Sequence, residues 1–266
     1  FATVSLTCLL ASTVWLNQSL QESQFSQKQK QLESFLAYRT PHFRGGTCFL
    51  TSQSMGIEDF DKTTCIATDD GKENILLIGD SHAAHWYSSL KTNIKENQTL
   101  SQITASGCKP VLKTSGAKRC EELMNWAYRE SITSEQYSKV IISARWLEKD
   151  IALLRESIEL LQSRGLEVIV IGPVVEYFQP LPRVLAMSDS VETIMNSSNL
   201  DEVRKIDSEM QKELTNLNAD YFSTVNVMCA DQTVCITEVN DIPVQFDYGH
   251  LTEAGARKIL EQFNYL

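Results

Sequence analysis

The sequence contains little glycine and proline, 11 and 6 residues among 266, which excludes a collagen-like or low-complexity chain. It has no basic run and no internal repeat, and its 24 lysines and arginines face 34 aspartates and glutamates. The resulting net charge of −10 argues against nucleic-acid binding, which needs positive charge to displace counterions. With 42% hydrophobic and 22% charged residues, the composition is typical of a globular protein of one or two domains.

The first sixteen residues, 1–16, carry no charge and are mostly apolar. The stretch is shorter than the roughly 20 residues of a spanning helix and lacks the basic start of a signal peptide. We interpret it as the end of a truncated transmembrane helix, with a buried amphipathic helix of the domain itself as the alternative. Residues 17–70 are then a polar stalk and linking extension, and residues 71–266 form the main domain.

Seven cysteines are present, and Cys8 lies in the apolar stretch. The other six form sequence-local pairs: Cys48 and Cys65, Cys108 and Cys120, and Cys229 and Cys235. Local pairing is a hypothesis, because six cysteines allow many connectivities. Metal binding and buried free thiols are alternatives, yet no C-x-x-C occurs and no histidine stands at zinc-site spacing. We therefore expect three disulfides, no metal, and an oxidising compartment.

Apolar runs that alternate with helical patterns predict the fold. Strands are predicted over residues 74–78, 100–105, 139–144, 166–171 and 219–227. Helices are predicted over residues 82–96, 121–130, 150–164, 201–217 and 252–263. This alternation is typical of an α/β domain with a doubly wound parallel sheet of about five strands, flanked by helices. Residues 39–73 show no clear period and are interpreted as a disulfide-stapled N-terminal extension.

The segment Gly79-Asp80-Ser81-His82 follows the first predicted strand directly. A serine at such a strand-to-helix turn presents its hydroxyl at the sheet edge, and its backbone N–H points from a helix N-terminus that favours negative charge. Ser81 is therefore a candidate nucleophile that also supplies an oxyanion donor. The alternative is a helix-capping serine.

The second segment with catalytic residue types is Asp247-Tyr248-Gly249-His250, before the last predicted helix. An aspartate three residues before a histidine can bind Nδ1 of the imidazole while Nε2 faces outward, as in the base half of a hydrolase triad. The alternative is that Thr252 caps the helix and His250 is incidental. Because the two segments stand at the two ends of one α/β pattern, we interpret them together as a catalytic triad.

These segments resemble the first and last blocks of the SGNH (GDSL-like) hydrolase superfamily. Four segments, 79–83, 105–110, 143–146 and 247–252, resemble more closely the SGNH domains fused behind integral-membrane acyltransferase family 3 proteins. Those proteins O-acetylate bacterial surface sugars, notably lipopolysaccharide O-antigen. The resemblance covers roughly residues 70–266 and implies that residues 71–266 form an SGNH-like catalytic domain.

The resemblance implies a role for each matched residue. Ser81 would be the nucleophile, His250 the base and Asp247 its orienter, and the backbone N–H of Gly107 would join that of Ser81 in the oxyanion hole. The third block departs from the superfamily, because Arg145 stands where an asparagine is expected. Arg145 could replace that asparagine as a charged donor or pair structurally with Asp80 or another acid.

Three further residues are expected near the substrate. His82 and His85 follow the nucleophile by one and four residues, and Trp146 follows Arg145. We expect all three to line the substrate site, with a purely structural placement as the alternative.

The implied function is that of a periplasmic domain of a membrane-bound O-acetyltransferase, located at the bacterial inner membrane. Ser81 would pass an acetyl group to a hydroxyl of a cell-surface polysaccharide, with a fused or adjacent membrane acyltransferase domain as partner. No bound cofactor is expected, and acetyl-CoA would be the ultimate donor through the membrane domain. The alternatives are a carbohydrate acetylesterase with the same triad and a non-catalytic glycan-binding or scaffolding module.

Overall fold

The computed structural model describes residues 27–133, 135–188, 190–230 and 234–266. The strands are β1 (Phe49–Leu50), β2 (Glu73–Gly79), β3 (Gln98–Ala105), β4 (Lys139–Ser143), β5 (Glu167–Ile171), β6 (Asp220–Phe222), β7 (Glu238–Val239) and β8 (Ile242–Pro243). The helices are α1 (residues 27–34), α2 (Lys62–Cys65), α3 (Ser81–Ala84), α4 (Tyr87–Asn93), α5 (Lys118–Trp126), α6 (Ile151–Ser163), α7 (Leu181–Met187), α8 (Val191–Asn196), α9 (Leu200–Asn216), α10 (Thr224–Met228) and α11 (Glu253–Leu260).

Six strands form one parallel sheet in the order β1-β3-β2-β4-β5-β6. The chain leaves β2 on one side to form β3 and then crosses over β2 to form β4, so the winding direction reverses beside β2. In doubly wound sheets the ligand site lies at such a reversal, outside the carboxyl ends of the strands. Gly79, the last residue of β2, pairs with Thr104 of β3 and Ser143 of β4 and marks this edge.

Both faces of the sheet are covered by apolar side chains, as the continuous apolar strands predict. Along β2, Leu76 and Ile78 belong to one core cluster, whereas Ile75 and Leu77 belong to the other. The first cluster includes residues of α5, α6 and α9, and the second includes residues of α4, α10 and α11. All four β2 side chains are fully buried, which confirms the doubly wound α/β class.

The N-terminal extension is part of the sheet. Its strand β1 pairs in parallel with the end of β3, with Leu50 opposite Ala105, and makes the sheet six-stranded instead of five-stranded. Cys48, directly before β1, forms a disulfide with Cys65 at the end of α2. The disulfides Cys108–Cys120 and Cys229–Cys235 are also present, so the three predicted local pairs are confirmed.

Two predicted elements differ from the structure. The predicted helix over 82–96 is two helices, α3 and α4, with His85 and Trp86 between them. The strand prediction over 219–227 is wrong beyond Phe222, because the Ser223 side chain accepts a hydrogen bond from the backbone N–H of Asn226 and caps helix α10. The capping hydroxyl outweighs the apolar pattern of this short segment.

The predicted membrane segment, residues 1–16, lies outside the described residues. Within the described ranges, no helix combines the length and the apolarity that spanning a bilayer requires.

Candidate active site

Ser81 is the first residue of α3 and follows the carboxyl end of β2 by two residues. The turn needs glycine at position 79, because a Cβ atom there would lie 1.8 Å from the carbonyl oxygen of Ser143. Asp80 is the N-cap of α3, and its Oδ1 accepts the backbone N–H of His82 at 2.8 Å. Asp80, and not Ser81, therefore caps the helix. The Ser81 hydroxyl is not used for capping and lies at the carboxyl edge of the sheet.

Ser81, His250 and Asp247 form a continuous hydrogen-bond chain. The Oγ of Ser81 lies 2.8 Å from Nε2 of His250, and Nδ1 of His250 lies 2.7 Å from Oδ2 of Asp247. If Nδ1–H donates to the carboxylate, Nε2 is left as the acceptor for the serine hydroxyl, which is the arrangement a general base requires. The structure thus brings Ser81 to the Asp247–His250 pair, which lies 169 residues further along the chain.

The loop before α11 holds the aspartate and the histidine in this geometry. Oδ1 of Asp247 accepts the backbone N–H groups of Gly249 at 3.0 Å and of His250 at 2.7 Å. Burial alone would raise the pKa of Asp247, but the hydrogen bond and charge of His250 and these backbone donors outweigh it and lower that pKa. Thr252 caps α11 by accepting the N–H of Gly255, so capping and the Asp247–His250 pair coexist.

The buried carboxylate of Asp80 ties two strand ends together. Its oxygens accept the backbone N–H of Arg145 at 3.0 and 3.2 Å, beyond the end of β4. Burial raises the pKa of Asp80, although the positive charge of Lys109 and the backbone donors oppose this. Asp80 thereby fixes the position of the Arg145 backbone relative to Ser81.

The predicted oxyanion donors lie at the same edge of the sheet. Gly107 follows Thr104 by three residues, and Thr104 pairs with Gly79 in the register of β2 and β3. Gly107 is exposed and has φ +69, a left-handed conformation that glycine adopts at little cost. Its assignment to the oxyanion hole stays a prediction.

The side chain of Arg145 pairs with Glu176 and not with Asp80. Its Nε and Nη2 each lie 2.7 Å from one carboxylate oxygen of Glu176, in a bidentate ion pair. The hydrogen bond with Glu176 raises the pKa of Arg145, while Nη1 has no hydrogen-bond partner among the described residues. Sequence reasoning missed Glu176, because it lies in the irregular segment after β5 and only the folded chain brings it to this edge.

His82, His85 and Trp146 are all buried, with 3%, 0% and 3% of their surface exposed. Trp146 donates its indole N–H to the carbonyl of Ile171 at 2.9 Å and belongs to the core. The imidazole of His82 lies 4.9 Å from that of His250, between ring centroids. Burial, followed by the charge of His250, lowers the pKa of both His82 and His85 well below the usual value and thereby favours their neutral forms.

The N-terminal extension supplies an aromatic wall to the histidine, which sequence analysis did not identify. The ring of Phe43 lies 6.1 Å from that of His250, and Phe246 stacks on the same imidazole at 5.9 Å and contacts Phe43 at 6.2 Å, between ring centroids. Tyr38 stacks on Phe246 at 5.1 Å. These rings pack around the imidazole and support the orientation that its hydrogen bonds with Asp247 and Ser81 define.

Among the described residues, no set of three or more histidine, cysteine, aspartate or glutamate side chains is arranged to hold a metal ion.

The chain was compared with families of known proteins, with curated proteins and with solved structures. Its fold is similar to that of the periplasmic domain of a lipopolysaccharide acetyltransferase from Salmonella ser. Paratyphi A, with 23% sequence identity and a TM-score of 0.69. That alignment covers 87% of this chain and 95% of the Salmonella domain. A comparison with curated proteins found no significant match.

Two esterases are more distant in structure. A carbohydrate acetylesterase from Sinorhizobium meliloti has 11% identity and a TM-score of 0.45, with 71% of this chain and 94% of that chain covered. A catalytic mutant of an acetylxylan esterase from Geobacillus stearothermophilus has 11% identity and a TM-score of 0.44, with 75% of this chain and 98% of that chain covered.

The family model for SGNH domains fused to AT3 domains matches residues 47–264, which is most of the chain. The match begins inside the N-terminal extension rather than after it. The chain therefore belongs to the family of SGNH domains that occur fused to AT3 domains.

Proposed function

We propose that this domain transfers an acetyl group, through an acetyl-serine intermediate, to a hydroxyl of a cell-surface polysaccharide such as lipopolysaccharide O-antigen. The observation that carries the proposal is the hydrogen-bond chain Asp247–His250–Ser81 at the carboxyl edge of an SGNH fold. The similarity to a lipopolysaccharide acetyltransferase domain supports the fold and is consistent with this substrate class.

In the first half-reaction, Oγ of Ser81 attacks the carbonyl carbon of the acetyl donor. Nε2 of His250 accepts the hydroxyl proton, and Asp247 stabilises the imidazolium that forms. When the tetrahedral intermediate collapses, the bond to the donor breaks, and the leaving group takes the proton from His250. The product is an acetyl ester on Ser81.

In the second half-reaction, a sugar hydroxyl attacks the acetyl-serine. The hydroxyl proton passes to Nε2 of His250, a bond forms between the sugar oxygen and the acetyl carbon, and the bond to Oγ then breaks. Ser81 recovers its proton from His250, so the enzyme returns to its starting state. Water in place of the sugar would give acetate and the acetylesterase reaction.

Both half-reactions pass through an oxyanion, and we assign three donors to it. The backbone N–H groups of Ser81 and Gly107 are two of them, and Nη1 of Arg145 is the third. The ion pair with Glu176 uses Nε and Nη2. It therefore holds the guanidinium in place and leaves Nη1 available. A charged donor of this kind is worth most where water is excluded.

The proposal extends to the setting of the domain. The fusion that defines the family supports a membrane AT3 domain as the partner that delivers the acetyl group, with acetyl-CoA as its ultimate source. Three disulfides support a location in the oxidising periplasm, at the inner membrane.

Acetylation of Ser81 is the direct test. The domain is incubated with 4-nitrophenyl acetate, and the acetyl-enzyme is trapped in acid and located by peptide mass spectrometry. Ser81→Ala should abolish the adduct, whereas Ser88→Ala, on α4, should retain it. Adding polysaccharide should then move the label to the glycan. Release of acetate alone would assign an esterase, and an unmodified Ser81 would refute the proposed chemistry.

A further inference from the structure

A cavity of about 460 Å³ is lined in part by Arg145 and by Tyr248, the residue that follows Asp247, and is called the side cavity here. This volume is in the ~300–1,000 Å³ range that small-molecule sites occupy. Its lining includes Arg145, Glu176, Phe178, Asn199, Glu202 and Tyr248. The acetyl-transfer chemistry described above uses Arg145 and its ion-pair partner Glu176, so the other lining residues have no role yet.

Tyr248 connects the side cavity to the catalytic base. Its ring lies 5.6 Å from the imidazole of His250 in an edge-to-face contact. The guanidinium of Arg145 lies 5.3 Å from the centroid of the same ring. A molecule in the side cavity is therefore one aromatic ring away from the base that must deprotonate the acceptor.

Backbone hydrogen bonds fix the walls of the side cavity. The N–H of Phe178 donates to the carbonyl of Ser197 at 2.8 Å, and the N–H of Tyr177 donates to the carbonyl of Tyr248 at 2.8 Å. The N–H of Glu176 donates to Oδ1 of Asn199 at 2.9 Å. The cavity is thus preformed, which lowers the entropy cost of binding.

Phe178 presents its ring to solvent at this wall, with 72% of its surface exposed. A single exposed aromatic residue is ordinary in itself. Here it stands in a concave site among carboxylate and amide groups, which is the combination that a sugar requires. Its apolar face can pack on the C–H face of a pyranose, while Asn199 and Glu202 can bind hydroxyls.

The lining of the side cavity carries a net negative charge. The positive charge of Arg145 is already balanced by Glu176. Glu202 forms no ion pair with any described residue, so it leaves the cavity with excess negative charge. A uronic acid or another anionic sugar would be repelled there, whereas a neutral sugar would not.

We infer that the side cavity is the acceptor subsite and binds an uncharged pyranose stacked on Phe178. The inference rests on the proposed acetyl transfer, whose acceptor it specifies. Binding at this site is separable from acylation of Ser81, because the acetyl donor can react when no acceptor is present.

The first test measures binding without turnover. Ser81→Ala protein is mixed with methyl α-D-mannopyranoside, methyl α-L-rhamnopyranoside or the methyl glycoside of glucuronic acid, and binding is read by saturation-transfer difference NMR. The neutral glycosides should show saturation of ring C–H protons, and the glucuronide should not. Adding Phe178→Ala should remove the signal, whereas Met187→Ala, at an equally exposed position on α7, should keep it. Adding Glu202→Gln should admit the glucuronide.

The second test uses the active protein and its two half-reactions. Phe178→Ala should raise the acceptor KM about tenfold, the equivalent of ~1.4 kcal/mol, and leave the rate of Ser81 acetylation unchanged. The inference is overturned if no glycoside binds, if the glucuronide binds as well as the neutral sugars, or if Phe178→Ala changes neither signal nor KM. If Ser81 of the wild-type protein is not acetylated at all, the proposed chemistry is refuted instead. The result of the glycoside-binding test does not depend on that outcome.

Discussion

The phenyl ring of Phe43 packs 6.1 Å from the imidazole ring of His250, although the two residues come from opposite ends of the chain. Phe43 is 4% exposed and lies in a short 3₁₀ helix, Pro41–Phe43, of the N-terminal extension. Its carbonyl accepts a hydrogen bond from the side chain of Gln102 on β3, at 3.0 Å. The extension is therefore a structural part of the candidate active site.

Replacing Phe43 with alanine should weaken both the fold and the orientation of the base. Losing a buried phenyl ring costs about 3–5 kcal/mol of unfolding free energy. The rate of acetylation by 4-nitrophenyl acetate should fall too, because His250 gains rotational freedom. Phe43→Leu should restore most of both quantities, since it refills the space, and Leu36→Ala, at an exposed position of the extension, should change neither. A stability loss with an unchanged acetylation rate at low temperature would contradict the positioning role.

Removing the guanidinium of Arg145 tests its assignment as the third oxyanion donor. Arg145→Ala should lower the rate of Ser81 acetylation by about two to three orders of magnitude, the usual effect of losing one such donor. Arg145→Lys should not restore it, because a compact ammonium lacks the planar fork that pairs Nε and Nη2 with Glu176 and leaves Nη1 as a separate donor.

Glu176→Gln is the matched control for Arg145, because it weakens the ion pair and retains the guanidinium. Its effect on acetylation should be much smaller than that of Arg145→Ala. A near-neutral Arg145→Ala would show that the residue only shapes the loop.

The buried imidazole of His85 should make stability depend on pH. Burial lowers its folded-state pKa well below 6.5, so below that pH the unfolded chain takes up a proton that the folded protein refuses. Stability should therefore fall as the pH drops from 6.5, by up to ~1.4 kcal/mol per pH unit for each such histidine. His85→Gln cannot be protonated and keeps an acceptor for the N–H of Leu251. Urea unfolding between pH 6.5 and 5 should show a shallower dependence in this variant, and equal slopes would contradict the explanation.

The three disulfides should stabilise the protein unequally. Their sequence separations are 17 residues for Cys48–Cys65, 12 for Cys108–Cys120 and 6 for Cys229–Cys235. In the chain-entropy description the longest loop contributes about 1 kcal/mol more than the shortest. Replacing both cysteines of a disulfide with alanine should lower the thermal unfolding temperature most for Cys48–Cys65 and least for Cys229–Cys235. The Cys48–Cys65 pair should also lower the acetylation rate, because that disulfide anchors the segment next to Phe43.

The sequence alone predicts the structure correctly where a pattern of neighbouring residues determines the local conformation. The apolar run before Gly79 predicts β2, and a serine directly after it predicts a strand-to-helix turn, which the structure contains. The pairing of Asp247 with His250 follows from their spacing within one loop. Such features depend on neighbours in the chain and on little else.

The remaining features depend on contacts between distant segments. Strand β1 is only two residues long, so it has no period to detect, and it exists because β3 offers a free edge. Glu176 and Phe43 stand in irregular segments, and only the fold brings them to Arg145 and His250. The strand prediction failed after Phe222 because a capping serine and an apolar run compete within a few residues.

Strand β1 also bears on where this domain can be cut. A recombinant fragment that began at residue 71 would lack the Cys48–Cys65 disulfide and the Phe43 ring that packs near His250. It would also leave the edge of β3 without its partner strand β1. Unpaired sheet edges are templates for intermolecular strand addition. Such a fragment would aggregate during expression or purify with a mispositioned base, so protein production and domain-swap chimeras need a junction upstream of Tyr38.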